Sequence, residues 1–247
     1  FQAVPAIGVL DSSLVGSEMC IRDSWGETPS LEPYALVEKL VFGGRGGYCF
    51  ELNRLLALGL ECLGYNVVPV MARVIWGRDE PGPLTHFLLR VSADGEDWLV
   101  DAGFGGPGPS GPIRLTQPLS IFLFDGVNYK IEVDANIGQV LQRFSNDSVW
   151  EPLYAFTDEL VGDDEIGAGN RLAASGPGSI FRKSLMAARR KGNGRIVLSG
   201  SRFRCYEGTR LLDETEIADS TQKLECLESE FGINLDDLTK GALLRRL

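Results

Sequence analysis

Apolar and polar positions recur along this chain with two different periods, and the change of period divides it. Residues 33–42 carry Leu36, Val37 and Leu40 among Glu38 and Lys39, which predicts a short helix. Gly43-Gly44-Arg45-Gly46-Gly47 breaks it. Over 49–64 the residues Leu52, Leu55, Leu56, Leu60 and Leu63 fall at helical spacing, with Gly64 placed as a C-terminal stop. The period then drops toward two. Strands are predicted over 65–76, 86–91, 98–101, 113–115, 120–124, 127–133, 139–144 and 149–155, divided by Gly, Pro, Asp and Asn turns. Short strands at this spacing point to a barrel or a sandwich.

Residues 157–169 are acidic and predict a linking helix. Strands return over 185–190 and 195–200, joined by Gly192-Asn193-Gly194, a hairpin signal. Amphipathic helices are predicted over 214–231 and 236–247. Helices, then a β unit, then an α/β unit imply small subdomains sharing one core: 25–65, 66–156 and 171–247, with 157–170 as connector. Residues 1–24 show no clean period, and they lack both an initiator Met and the basic segment of a signal peptide. The run LVGSEMCIRDS within them reads as translated sequencing-adapter text, so 1–24 are expected to be spurious and receive no function.

Charge narrows the partners. Lys plus Arg number 24 against 34 Asp plus Glu, a net charge of −10. Such a chain repels nucleic acid and anionic lipid unless its basic residues concentrate locally. The longest apolar stretch, 55–70, contains Glu61 and Asn66, so no membrane span is expected. The 5 cysteines include no Cys-x-x-Cys pair and there is 1 histidine, so no zinc-ligand spacing can be built and no metal is expected. Buried thiols in a reduced, cytoplasmic protein are the plain reading of most of them.

Cys49 stands apart. It opens a helix directly after the Gly-rich loop, where unpaired N–H groups and the helix dipole favour a thiolate and can receive an oxyanion. Arg45 adds positive charge nearby. The loop is not a phosphate cradle, because no Lys-Ser/Thr follows its last Gly. The single histidine, His86, begins a predicted strand, and its hairpin turns at Asp94-Gly95. That turn sets Ala93 opposite Glu96, Val91 opposite Trp98 and Leu88 opposite Asp101. His86 shares a face with Leu88, so Asp101 lies one diagonal step from it, at a Cβ separation of about 7–8 Å. Singly, each residue has a structural reading: a buried thiol, a core imidazole, a strand-capping carboxylate. Together they form a nucleophile, a base and a group to orient the base.

The run Arg45-Gly46-Gly47-Tyr48-Cys49-Phe50-Glu51-Leu52-Asn53, then His86, then Val100-Asp101-Ala102-Gly103-Phe104-Gly105, resembles the arylamine N-acetyltransferase family. Glu151-Pro152-Leu153-Tyr154-Ala155-Phe156 and the series Asn170, Ser175, Pro177, Ser179 and Phe181 are similar to that family's interdomain region. The likeness spans about 31–233. It implies an α+β fold: a helical bundle carrying Cys49, a β-barrel carrying His86 and Asp101, and an α/β lid, in a cysteine-protease-like arrangement. It implies acetyl transfer from acetyl-coenzyme A to an arylamine or arylhydrazine by a ping-pong route through an acetyl-Cys49 intermediate. Cys49, His86 and Asp101 would be catalytic, and Arg45, Phe104 and Gly105 would bind substrate.

The family's opening helices, with their Pro-Phe-Glu-Asn stretch, are not found in 1–24. Without them Leu52, Leu55 and Leu56 are expected to stay exposed, which predicts poor stability. The family's His-Pro is also replaced by Gly176-Pro177. Candidate ring contacts are Phe42, Phe50, Phe104, Phe122 and Phe124. Residues 180–195 hold Arg182, Lys183, Arg189, Arg190, Lys191 and Arg195 with no acid, a candidate contact for coenzyme A phosphates or simply a solvated hairpin face. Other readings keep the three residues with a different reaction, a related amide-forming acyltransferase or a cysteine hydrolase, or take the chain as an inactive truncated remnant.

Overall fold

The computed structural model describes residues 18–19, 28–115 and 120–245. Of the segment 1–24 it describes only β1 (Glu18–Met19), which pairs antiparallel with a strand near residue 188. The rest of that segment lies outside the described residues. Helix α1 (Pro33–Leu36) has Pro at its start, where a missing N–H costs nothing, and runs on into a π-helical stretch, Val37–Phe42. After the glycines comes α2 (Cys49–Cys62).

Eight antiparallel strands follow: β2 (Asn66–Val74), β3 (Leu84–Ala93), β4 (Glu96–Val100), β5 (Ile113–Arg114), β6 (Phe122–Phe124), β7 (Val127–Asp134), β8 (Gly138–Phe144) and β9 (Trp150–Phe156). They form one sheet in the order β5-β4-β3-β2-β9-β8-β7-β6. The turn Asp94-Gly95 has positive φ at both residues, 54° and 77°, matching the twist of a two-residue hairpin. It fixes the β3–β4 register at Ala93↔Glu96, Val91↔Trp98 and Leu89↔Val100.

The sheet curls on itself. Ile113 at one edge and Phe122 and Phe124 at the other join a single interior cluster with Leu88, Leu141 and Tyr154. Residues of the opposite parity, Phe87, Leu89, Val91, Trp98 and Val100, face outward and carry α2 through Phe50, Leu52, Leu56 and Leu60. Each side chain so buried contributes about 2 kcal/mol. The expected exposure of the α2 core face is therefore corrected for Leu52 and Leu56, which are buried, and Leu55 is half-buried. The convex face of the sheet covers them, with Ile166 and Ala173 added from a later helix.

Helix α3 (Asp163–Ser175) starts with three acids at its positive end and leads through the short α4 (Ile180–Lys183) into a second sheet. Its strands are β10 (Met186–Lys191), β11 (Gly194–Ser199), β12 (Arg202–Glu207) and β13 (Arg210–Glu216), in the order β1-β10-β11-β12-β13. Helices α5 (Ser220–Ser229) and α6 (Asp237–Leu244) complete the chain, and Leu224, Leu227 and Phe231 pack on Ile196 and Leu198. The helix expected over 214–231 is corrected: Glu214 to Glu216 belong to β13, and α5 begins only where the Asp219 carboxylate accepts from Gln222 N at 2.9 Å. The architecture is α+β. No helix among the described residues is long and apolar enough to cross a membrane.

Candidate active site

Cys49 is the first residue of α2, so the first N–H groups of that helix have no partner within it. Gly44 and Gly46 take positive φ, 60° and 67°, and let the preceding loop turn sharply into the helix. Glu51 secures the entry: its Oε2 accepts from Tyr48 N at 3.3 Å and its Oε1 meets Lys39 Nζ at 2.6 Å. The Cys49 side chain is 5% exposed, and its thiol donates to Thr85 O at 3.9 Å.

His86, on β3, and Asp101, just past β4, meet as the hairpin register requires: Nε2 lies 2.7 Å from Oδ2. The other carboxylate oxygen of Asp101 accepts from Asn53 Nδ2 at 3.0 Å and from Gly103 N at 2.9 Å. Asn53 sits one turn along α2 from Cys49, so one helix delivers both the thiol and a clamp on the carboxylate. The edges and faces of Phe104 and Tyr154 close on the imidazole, with ring centroids 5.0 and 4.9 Å away.

Burial opposes a charged imidazole. The neighbouring Asp101 carboxylate and hydrogen bonds to Asp101 and Cys49 outweigh it and raise His86 to about 10. Burial also pushes the Asp101 carboxyl up, but the His86 charge and the hydrogen bonds from His86, Asn53 and Gly103 hold it below the usual carboxylate range. The three sequence candidates Cys49, His86 and Asp101 are thus brought together.

A cavity of about 440 Å³ opens beside them, lined on the inner side by Cys49, His86, Phe104 and Gly105. Arg45 does not line it. Its guanidinium turns toward α6, donating to Thr239 Oγ1 at 2.8 Å with Asp236 Oδ2 at 3.7 Å. Of the candidate ring contacts only Phe104 lines the cavity; Phe42 is exposed, Phe50 is fully buried in the core, and Phe122 and Phe124 pack inside the barrel. Among the described residues no cluster of His, Cys, Asp and Glu could hold a metal ion.

Comparison with known proteins places this chain in a family. The family model for N-acetyltransferases matches residues 22–240. The chain belongs to the arylamine N-acetyltransferase family. The family is one of transferase enzymes. The Mycobacterium tuberculosis arylamine N-acetyltransferase is 37% identical over 229 residues, covering 88% of this chain and 77% of that protein. The solved M. tuberculosis structure matches with a TM-score of 0.90 at 30% identity, covering 100% of this chain and 94% of that one. A Mycobacterium marinum arylamine N-acetyltransferase in complex with CoA matches with a TM-score of 0.88 at 28% identity, over 98% of this chain and 92% of that one.

Within this family fold, sequence reasoning missed the outer wall of the cavity: Trp76 lines it from the turn past β2, Phe181 from α4 and Tyr206 from β12. Phe181 belongs to the series that resembles the family's interdomain region and Trp76 ends a predicted strand, but no local pattern in either, or in Tyr206, points to a shared cavity. The basic run 180–195 divides on folding. Arg189 and Lys191 turn to Glu230, Arg190 to Asp125, and Arg195 alone of these four reaches the cavity.

Proposed function

We propose that this chain transfers the acetyl group of acetyl-coenzyme A to an aromatic amine or hydrazine in two steps through an acetyl-Cys49 thioester. The observation that carries this reading is the 2.7 Å hydrogen bond between Asp101 and His86 with the Cys49 thiol as the imidazole's other neighbour. In the first step the Cys49 sulfur attacks the thioester carbonyl carbon. Its proton passes to His86, the carbon–sulfur bond to coenzyme A breaks, and the departing sulfur takes that proton. In the second step the amine nitrogen attacks the acetyl-Cys49 carbonyl, gives its proton to His86, and Cys49 leaves. The developing oxyanion faces the positive end of α2, at Cys49. Asp101 fixes the ring orientation and stabilises the imidazolium.

Phe104 and Gly105 form the acceptor side, where a flat ring packs against an aromatic edge and displaces water. The M. marinum relative's complex with CoA supports coenzyme A as the donor's carrier. Arg45 is engaged with α6 and has no part in this scheme.

The test is thiol release from acetyl-coenzyme A with an arylhydrazine acceptor, followed for the wild type and for Cys49→Ala. The wild type is expected to turn over and to show an acetyl adduct on Cys49 by mass spectrometry when the acceptor is withheld. Equal thiol release by both proteins would overturn the assignment.

A further inference from the structure

The positive end of α2 serves two negative groups at once. Glu51, in the first turn, caps the helix by accepting from Tyr48 N at 3.3 Å. A carboxylate there draws on the same dipole that favours negative charge on the Cys49 sulfur and on the oxyanion of the reaction. The two residues do not face each other, yet helix geometry sets their Cα atoms only about 5 Å apart. Glu51 is 2% exposed, so water screens its charge poorly. A capping acid so placed stabilises the fold and opposes the chemistry.

Lys39 resolves that conflict. Its Nζ lies 2.6 Å from Glu51 Oε1, and its side chain is only 15% exposed. The backbone is shaped to bring it there. Val37–Phe42 is π-helical, with Gly43 N donating to Glu38 O at 2.8 Å, a wider turn than that of an α-helix and one frequent at functional sites. This turn sends two consecutive side chains toward the nucleophile's helix, Lys39 to Glu51 and Leu40 to Gly47. Two glycines of the loop make room. A Cβ on Gly43 would lie 2.8 Å from Lys39 O, and one on Gly47 would lie 2.9 Å from Leu40 Cδ2 and 3.1 Å from Glu51 Cβ. The Gly-rich loop, which is no phosphate cradle, seats a lysine against a buried carboxylate.

We propose that Lys39 is a positioning residue for acyl transfer: by neutralising Glu51 it leaves the positive end of α2 to the Cys49 sulfur and the oxyanion. The inference rests on the transferase reading above. Removing the ammonium takes away a positive charge at hydrogen-bond distance from a buried carboxylate and returns negative charge to the first turn of the nucleophile's helix. The cavity wall is untouched, because neither Lys39 nor Glu51 lines it. The effect therefore falls on the reactivity of the sulfur.

The experiment follows alkylation of Cys49 by iodoacetamide at pH 7, peptide by peptide in mass spectrometry, a reaction that needs neither coenzyme nor acceptor. Lys39→Met is expected to slow it about tenfold, and to slow thiol release from acetyl-coenzyme A without acceptor by a similar factor. Lys39→Arg is expected to restore both rates. So is the double variant Lys39→Met with Glu51→Gln, in which both charges are gone and the amide oxygen still caps Tyr48 N. That rescue separates charge from architecture: a pair that merely braces the loop leaves the double variant as slow as Lys39→Met. An unrescued double variant overturns the proposal, and so does a wild-type rate in Lys39→Met. If Lys39→Met does not fold, Glu51→Gln carries the test by itself. It leaves the ammonium beside the helix and is expected to alkylate faster than the wild type, and a rate at or below the wild type overturns the proposal. The expected order of alkylation rates with no thiol release by the wild type would sink the transferase reading and leave the effect of Lys39 on the sulfur standing.

Discussion

Asn53 holds the site together. It is fully buried, its Nδ2 donates to Phe87 O at 2.6 Å and to Asp101 at 3.0 Å, and its Oδ1 accepts from Ala102 N at 2.8 Å. Asn53→Ala leaves a buried carbonyl, a buried N–H and one carboxylate oxygen short of partners. We expect a loss of about 2–4 kcal/mol in denaturant unfolding and a fall in kcat larger than any change in KM. The His86–Asp101 pair makes stability depend on pH with a definite sign. His86 is raised from 6.5 to about 10, so its contribution is complete below pH 6.5 and is lost as pH climbs toward 10. Asp101 is held low, so its contribution is present above the ordinary carboxylate range and is lost in acid. The stability gap between wild type and Asp101→Asn is therefore expected to be widest between about pH 5 and 6.5, at about 3 kcal/mol, and to narrow toward pH 10. A gap that widens with rising pH would contradict the ion pair.

At the scale of elements, α2 and the β3–β4 hairpin create the site by pressing together. Gly103 is the point of contact: a Cβ there would run into the Cys49 backbone and close on Asn53 Nδ2 at 3.1 Å. Gly103→Ala is expected to push α2 off the hairpin, costing about 1–3 kcal/mol in thermal unfolding and lowering kcat at least tenfold. These two elements were legible in the sequence because each carries a local signal. Leucines at helical spacing stop at Gly64, and Asp94-Gly95 fixes a register that carries His86 and Asp101 to one face. The β12–β13 hairpin was not legible. Arg202 to Glu207 alternates charges with Phe203, Cys205 and Tyr206, and Glu214 reads equally well as the first turn of a charged helix. Pairing with β11 decides the matter. Arg45 was misplaced for a related reason, since Thr239 and Asp236, which hold it, lie at the far end of the chain.

For the whole molecule, the question is what keeps the second sheet over the cavity, because the wall formed by Trp76, Phe181 and Tyr206 exists only when barrel and lid are docked. Such long-range assembly leaves no periodic trace in sequence, which is why that wall and the division of the basic run were not foreseen. The docking rests in part on one side chain. Arg190, on β10, donates from Nη1 to Asp125 Oδ2, beside the β6–β7 turn, at 2.7 Å and from Nη2 to Gly108 O at 2.7 Å, with both charged partners less than a third exposed. A charge-assisted pair of bonds in this setting is worth about 1–2 kcal/mol. Arg190→Ala should spend that stabilisation locally, because the strand ladders of the two sheets remain intact. Hydrogen exchange is expected to quicken about tenfold for amides of β10 and β11, with those of β3 and β8 at their wild-type rates. Uniform acceleration across both sheets would show instead that barrel and lid open as one cooperative unit, and the clamp would then have no separate role in holding the cavity closed.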